Sequence, residues 1–444
     1  MNPEKSTYVR WYLIFWLFLL SAIAFLDRVN ISIASVFIAK SYSLSDTQLG
    51  WIFSAFLVGY ALFQTPGGWL ADRLGSRRVL TVGVLWWGVF TALAAAIPSK
   101  TNHALLAFIV IRFLLGAGEA IIYPATNQFV SRWIPTQERG MANGLIFAGV
   151  GTGAMIAPPL ITFAMVRWGW RWPFCACAII GIIAGAVWFV ISRDSPEENS
   201  WVSAAELAKI KAGLTFGPRR SSEDAAVAGP LPWKTIISSK EVWGLTFSYF
   251  CYGYVAWIFF SWFYKYLATV RGLDLKSSAF YSILPFLAMA LASPLGGFVS
   301  DLLSKSRGKR VGRCGLAVFS MALAGAFIAY GSHVVDVRLA VIVLAGGAGA
   351  LYLSQSSFWS VSADIGGASS GAVSGLMNMG AQFGGAITAS LTPAIAMRYG
   401  WTASFLAAVI LCACGALSWL VVDPQRQLPS AGSAISSSRG QEGD

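Results

Sequence analysis

The sequence is short of charge. Only 12% of its 444 residues are Asp, Glu, Lys or Arg, and the acids among them number 20. Histidine occurs twice, at His103 and His333, and both fall in loops, which leaves no histidine proton relay. The six cysteines, Cys175, Cys177, Cys251, Cys314, Cys412 and Cys414, sit in or beside apolar runs without metal-ligand or disulfide spacing. They read as small buried apolar side chains, and no metal or other cofactor is expected. A phosphate-cradling glycine loop and a nucleophile–histidine pairing are also missing, so an enzyme is disfavoured and energy for any work would come from an ion gradient. Apolar residues fill the space: 56% of the chain is hydrophobic and the mean hydropathy is +0.63. No soluble core needs that much apolar surface, and the chain reads as an all-α integral membrane protein.

The net charge of +12 invites a nucleic-acid partner, and its distribution argues against one. Apolar runs predict helices over 10–37, 47–71, 79–98, 104–130, 140–164 and 173–192, then over 242–268, 277–302, 313–332, 338–362, 369–396 and 400–423. The first run is too long for a secretory signal and reads as a span. With both termini placed in the cytoplasm, 21 of the 32 Lys and Arg residues fall on the cytoplasmic side and nine on the other, as the positive-inside rule requires. The expected organisation is a six-helix half over 1–192, a cytoplasmic linker over 193–241, a second six-helix half over 242–423 and a tail over 424–444. The linker holds one amphipathic run near Ala204–Ala212 and an expected mobile middle; the low-complexity tail is expected to be disordered. Two pseudo-symmetric halves predict a substrate site between them near the bilayer midplane.

The halves share a motif. Gly68-x-x-x-Asp72-Arg73-x-Gly75-x-Arg77-Arg78 recurs 229 positions later in weaker form, as Gly297-x-x-x-Asp301 followed by Lys305, Arg307, Lys309 and Arg310. Gly67 and Gly68 allow two helices to approach closely, and Asp72 can accept hydrogen bonds from the amides at a neighbouring helix N-terminus. Asp72, Arg73, Arg77 and Asp301 are therefore candidates for a conformational latch. For the arginines the alternative is that they only set topology.

Two basic residues, Arg28 and Arg112, lie inside apolar spans, as do Asp27 and Glu119. Intramembrane charges are expensive and mark function by default. Asp27 and Arg28 are about 100° apart around their helix, with Asn30 near the face of Asp27. Arg112 and Glu119 are seven apart on one face, about 10 Å along the axis, with Gly116 and Gly118 between them. Structural salt bridges would account for the four charges, but buried pairs rarely repay their desolvation in stability. The sharper expectation is that Asp27 and Glu119 carry a coupling proton, Arg28 receives an anionic substrate and Arg112 pairs with the acids when they are ionised. The spans of the second half carry Tyr249, Tyr252, Tyr254, Trp257, Ser354, Gln355, Ser357, Asn378 and Gln382 and no charge near the midplane. With Asn30, Tyr60, Gln64 and Arg112 from the first half, Tyr254, Gln355, Ser357 and Asn378 are candidate substrate contacts, suited to an anion with hydroxyls of its own.

Four segments carry a resemblance beyond these patterns: Phe25-Leu-Asp-Arg-Val-Asn30; Ser54-Ala-Phe56 through Tyr60-x-x-x-Gln64-x-Pro-Gly-Gly-Trp69; Arg112 through Gly118-Glu-Ala120 with Tyr123-Pro124; and Arg132-Trp133-x-Pro135-x-x-Glu138-Arg139. In these the chain resembles the anion:cation symporter family of the major facilitator superfamily over nearly its whole length. That family includes carriers of galactonate, glucarate, hexuronates, tartrate and phthalate. The resemblance implies a twelve-helix fold, Asp27 and Glu119 as proton-coupling acids, Arg28 as a substrate-binding arginine, Arg112 as partner of Glu119, and Tyr60 and Asn378 as substrate contacts. Val150, Gln355, Ser357 and Phe358 depart from the galactonate pattern, and Tyr264 replaces a proline common in the family. The expected function is proton-coupled uptake of an organic anion, most plainly a sugar acid, by a monomer in a bacterial inner membrane, with sodium as the other candidate ion. Anion exchange, proton-driven efflux, uptake of an aromatic acid or dicarboxylate, and a non-transporting membrane sensor are the alternatives. The linker and tail are too short and featureless for a sensor.

Overall fold

The computed structural model describes residues 6–99, 103–214 and 233–428, and every regular element among them is helical. The first half comprises α1 (Val9–Tyr42), α2 (Asp46–Leu74), α3 (Ser76–Ala96), α4 (Ala104–Ala120) continued by α5 (Ile122–Trp133), α6 (Arg139–Trp168) and α7 (Arg171–Ile191). Between the halves lie α8 (Ala204–Gly213) and α9 (Trp233–Ile237). The second half comprises α10 (Lys240–Ser261) with α11 (Phe263–Thr269), α12 (Leu275–Tyr281) leading into α13 (Ile283–Arg307), α14 (Leu316–His333), α15 (Val337–Leu353) with α16 (Gln355–Gly366), α17 (Ser370–Tyr399) and α18 (Trp401–Ser418). These make twelve passes in two six-helix halves. Ten stretches of the described residues are long and apolar enough to cross a bilayer, and one of them, Val337–Tyr399, holds two passes. The α10 pass, diluted by Tyr249, Tyr252 and Tyr254, completes the twelve.

Four spans that read as continuous in the sequence are interrupted, at Ile121, Trp262, Ser354 and Ser282. Pro124 has no N–H to offer the Ala120 carbonyl, which accounts for the first break. At the third, the Ser354 hydroxyl turns back onto the Leu351 carbonyl at 2.6 Å. The first and third breaks occupy equivalent places in the two halves, and both border the central cavity.

The halves meet where α2 packs on α17 and α6 on α13. The glycines of the repeated motif make this possible: a Cβ on Gly68 would overlap the Gly371 carbonyl, and one on Gly297 would overlap that of Gly140. The motif loops turn at Gly75 (φ 90°) and Gly308 (φ 85°), a left-handed backbone that favours glycine. They lie at one end of the bundle, called here the basic end.

The linker helix α8 is docked there rather than free. α1 begins at Tyr8 without a side-chain cap of its own. Glu206 of α8 supplies one, accepting from the amides of Val9 at 3.0 Å and Arg10 at 3.2 Å, and pairing with the Arg10 guanidinium at 2.7 Å. Arg10 also reaches Glu138 at 2.9 Å, and Glu138 in turn meets Lys209 at 2.6 Å. The middle of the linker, 215–232, and the tail from 429 lie outside the described residues, and with them the expectations of mobility and disorder.

Candidate substrate and proton site

The four intramembrane charges come together, with partners other than those expected. The Arg28 guanidinium pairs with Glu119 of α4, through Nε at 3.1 Å and through Nη2. Arg28 lies among aromatic faces, its guanidinium carbon 4.5 Å from the ring centre of Phe25, 4.6 Å from Tyr60 and 5.4 Å from Phe56. Asp27 turns away from it toward α3, accepting from the Trp87 indole at 2.7 Å and the Thr91 hydroxyl at 2.8 Å. Arg112, expected to pair with the acids, makes no ion pair among the described residues. Its Nε lacks a hydrogen-bond partner and its guanidinium lies over Phe56 at 4.5 Å. The physical reason is that Arg112 and Glu119 share a helix face two turns apart, while Arg28, on a neighbouring helix, meets Glu119 at its own level. Asn30 is fully buried, with Cys177 Sγ 4.0 Å from its amide nitrogen.

Between the halves lies a cavity of about 70 Å³. Of the candidate contacts, Arg28, Tyr60, Gln355 and Asn378 line it, and so does Gln382. Gln64 does not; it accepts from the Asn378 amide at 2.9 Å, and the two form a bridge across the halves beneath the cavity. Tyr254 lies outside the lining, its hydroxyl 3.5 Å from Thr392. Ser357 is buried behind the wall with its hydroxyl unpaired, and Ser354 is spent on its own helix break. Asp27, Glu119, Arg112 and Asn30 likewise stand behind the lining, so among the described residues Arg28 is the one cation that faces the space.

The lining also holds residues that sequence reasoning passed over as sites: Tyr123, Phe147, Tyr352 and Trp359. Tyr249 organises one wall, accepting from Gln355 Nε2 at 2.9 Å and from the Trp359 indole at 3.0 Å. The Tyr123 hydroxyl lies 2.8 Å from that of Ser21. Pro124 beside Tyr123 was the available signal in the sequence.

The described inter-half bonds gather toward the basic end. Asp72 accepts from the first amides of α17, Gly371 at 2.9 Å and Ala372 at 2.8 Å. Asp301 does the same to α6, at Gly140 (2.9 Å) and Met141 (2.7 Å). In each case a carboxylate meets the positive end of a helix from the opposite half. Arg139 pairs with Asp364 at 2.5 Å, a carboxylate that Arg313 of its own half also reaches at 3.2 Å, and Asn127–Ser362 (3.0 Å) and Asn143–Ser360 (3.2 Å) add neutral bonds between the halves. The arginines of the expected latch do otherwise. Arg73 stacks over Trp69 at 4.1 Å, while Arg77 donates its amide to Asp194 at 2.8 Å and its Nε to the Phe189 carbonyl at 2.9 Å. These contacts are made within the first half and to the start of the linker, not to α17.

Two six-helix halves closed over one end of a central, cation-bearing cavity define a membrane carrier. The chain belongs to the Major Facilitator Superfamily, whose family model matches residues 17–388. It is 35% identical over 406 residues to a probable sulfoacetate transporter of Cupriavidus necator, covering 90% of this chain and 91% of that protein. It is 30% identical to the hexuronate transporter of Bacillus subtilis, over 89% and 90% of the two chains. Among solved structures, the proton:xylose symporter XylE bound to 6-bromo-6-deoxy-D-glucose matches with a TM-score of 0.72 at 14% identity, covering 95% of this chain and 98% of that one. That last likeness is one of fold.

Proposed function

We propose that this chain carries an organic anion across the membrane together with protons, by alternating access of its two halves. The observation that carries the reading is the Arg28–Glu119 pair at the wall of the cavity. Leaving Glu119 buried and ionised without Arg28 would be costly. Arg28 can therefore turn to a substrate carboxylate only as Glu119 takes up a proton in its place, which couples anion and proton in one exchange of partners. Asp27, held by Trp87 and Thr91, is the second proton-coupling acid, and Arg112 is the spare cation beside both. A proton suits the pair better than sodium, since a second cation bound at Glu119 would face the Arg28 guanidinium.

The names of relatives support an anionic cargo, with sugar acids represented by the hexuronate transporter and a compact acid by the sulfoacetate transporter. An aromatic acid is the second reading, favoured by the rings around the cavity. By the positive-inside rule the basic end is read as cytoplasmic, with both termini there, and the bacterial relatives support a bacterial inner membrane. Purified protein in liposomes is expected to concentrate its anion when the outside is acidic and to equilibrate it when the gradient is collapsed. Equal final levels in both conditions would reduce the chain to a passive facilitator.

Asp72 and Asp301 act as the latch of the state closed at the cytoplasmic side. Ser370, at the start of α17, is buried and bonded to Ser131 across the halves at 2.9 Å. In Asp72→Ala, a cysteine placed at Ser370 is expected to react with a cytoplasmic thiol reagent on the order of a hundredfold faster than in the parent, since two charge-assisted bonds of about 1.5–3 kcal/mol each are lost. An unchanged rate would remove Asp72 from the latch.

A further inference from the structure

The basic residues of the repeated motif are used differently in the two halves. After the turn at Gly308, Lys309 and Arg313 reach inward to Asp364, at 3.4 and 3.2 Å. After the turn at Gly75, Arg77 lies instead against the end of α7, its Nε donating to the Phe189 carbonyl at 2.9 Å and its guanidinium carbon 4.2 Å from the centre of the Phe189 ring. Arg193, just past that end, donates through Nη1 to the carbonyls of Val190 at 2.8 Å and Ser192 at 2.7 Å. Two guanidinium groups share one helix terminus, and the described bonds leave both Nη atoms of Arg77, and Nε and Nη2 of Arg193, uncommitted.

The charge around them is uneven. Arg193 and Arg78 act on Arg77 as like charges, Asp194 and Glu198 as opposite ones, so three cations stand against two acids. Asp194 is already engaged at the start of α3, where it accepts from the Arg77 amide at 2.8 Å. None of the three arginines is in an ion pair among the described residues. Away from this cluster the surface is apolar: Val82, Trp86 and Val89 of α3 and Ile179, Ile183 and Val190 of α7 are each more than 40% exposed. α3 and α7 pack on each other, so these side chains form one continuous face toward the bilayer.

A cationic rim above an apolar face suits a lipid better than a free anion. Guanidinium groups offer paired N–H donors to phosphate oxygens, and basic pockets at the membrane edge of transmembrane helices hold anionic headgroups. Independently of what the central cavity carries, we propose that the basic end of the α3–α7 face binds an anionic phospholipid. Its phosphate is held by Arg77 and Arg193, with Arg78 adding charge, and its acyl chains cover the apolar side chains beyond.

The test is native mass spectrometry of the purified full chain titrated with dioleoylphosphatidylglycerol and, separately, dioleoylphosphatidylethanolamine. The wild type is expected to hold the anionic lipid on the order of tenfold more tightly than the zwitterionic one. In Arg77→Gln/Arg193→Gln that preference is expected to fall toward one. In Lys305→Gln/Arg307→Gln, which removes the same charge from the end of α13, it should persist. Should the first double variant fail to fold, Arg193→Gln alone, lying beyond the end of α7, is expected to lower the preference roughly threefold. Equal affinity of the wild type for the two lipids would overturn the site. So would a preference that survives loss of Arg193, or one that falls equally in both double variants.

Discussion

Glu119→Gln is expected to abolish gradient-driven accumulation while sparing anion exchange. Glutamine copies the protonated acid in shape and neutrality, so Arg28 is released permanently to the substrate and the proton has nowhere to load. With a gradient of one pH unit, a carrier moving one proton per monoanion can concentrate its anion about tenfold, one unit being about 1.36 kcal/mol. In the variant the ratio should fall to about one, whereas exchange of labelled for unlabelled anion, which needs no net proton movement, should continue. Removing one member of a buried pair costs about 3–5 kcal/mol when the other is left bare. The variant should therefore be less heat-stable without anion and recover stability when an anion occupies Arg28. Concentrative uptake at the wild-type ratio would take the coupling role away from Glu119.

Arg28→Lys is expected to weaken anion binding by about ten- to a hundredfold, the equivalent of one charge-assisted hydrogen bond of about 1.5–3 kcal/mol. The side chain uses Nε and Nη2 on Glu119 and lies flat against Phe25 and Tyr60. An ammonium keeps the charge but has neither the fork nor the planar face. Direct binding to the purified variant checks this, and unchanged affinity would exclude Arg28 from the substrate site.

The fold was legible because hydropathy counts spans and because Gly68-x-x-x-Asp72 returns as Gly297-x-x-x-Asp301. The placement of Asp72 and Asp301 on the first turns of α17 and α6 matches what an acid beside close-packing glycines can do. The helix breaks were less visible. Pro124 flags the one at Ile121, but Ser354 interrupts its helix through a hydroxyl bond that any serine could have declined. Within the site, Arg28 and Glu119 stood out as charges in apolar runs. Their pairing did not, since spacing along α4 relates Glu119 to Arg112, and only the relative height of α1 and α4 brings Arg28 to it. The partners of Asp27 were hidden for a different reason: Trp87 and Thr91 look like ordinary members of an apolar helix. Hydroxyls were the poorest guide. Ser354 and Ser357 sit a turn apart, as a cavity lining would, yet neither faces the space, while Tyr352 and Trp359 do.

The central claim is that Arg28 passes between Glu119 and the anion as a proton arrives. The most direct measurement follows that proton: downhill entry of the anion into liposomes with no imposed pH difference, with a pH-sensitive dye in the lumen. The account predicts that the lumen acidifies in step with anion entry, and that the signal is absent in Glu119→Gln liposomes despite continued anion exchange. Anion entry at full rate with lumenal pH unchanged in the wild type would contradict it.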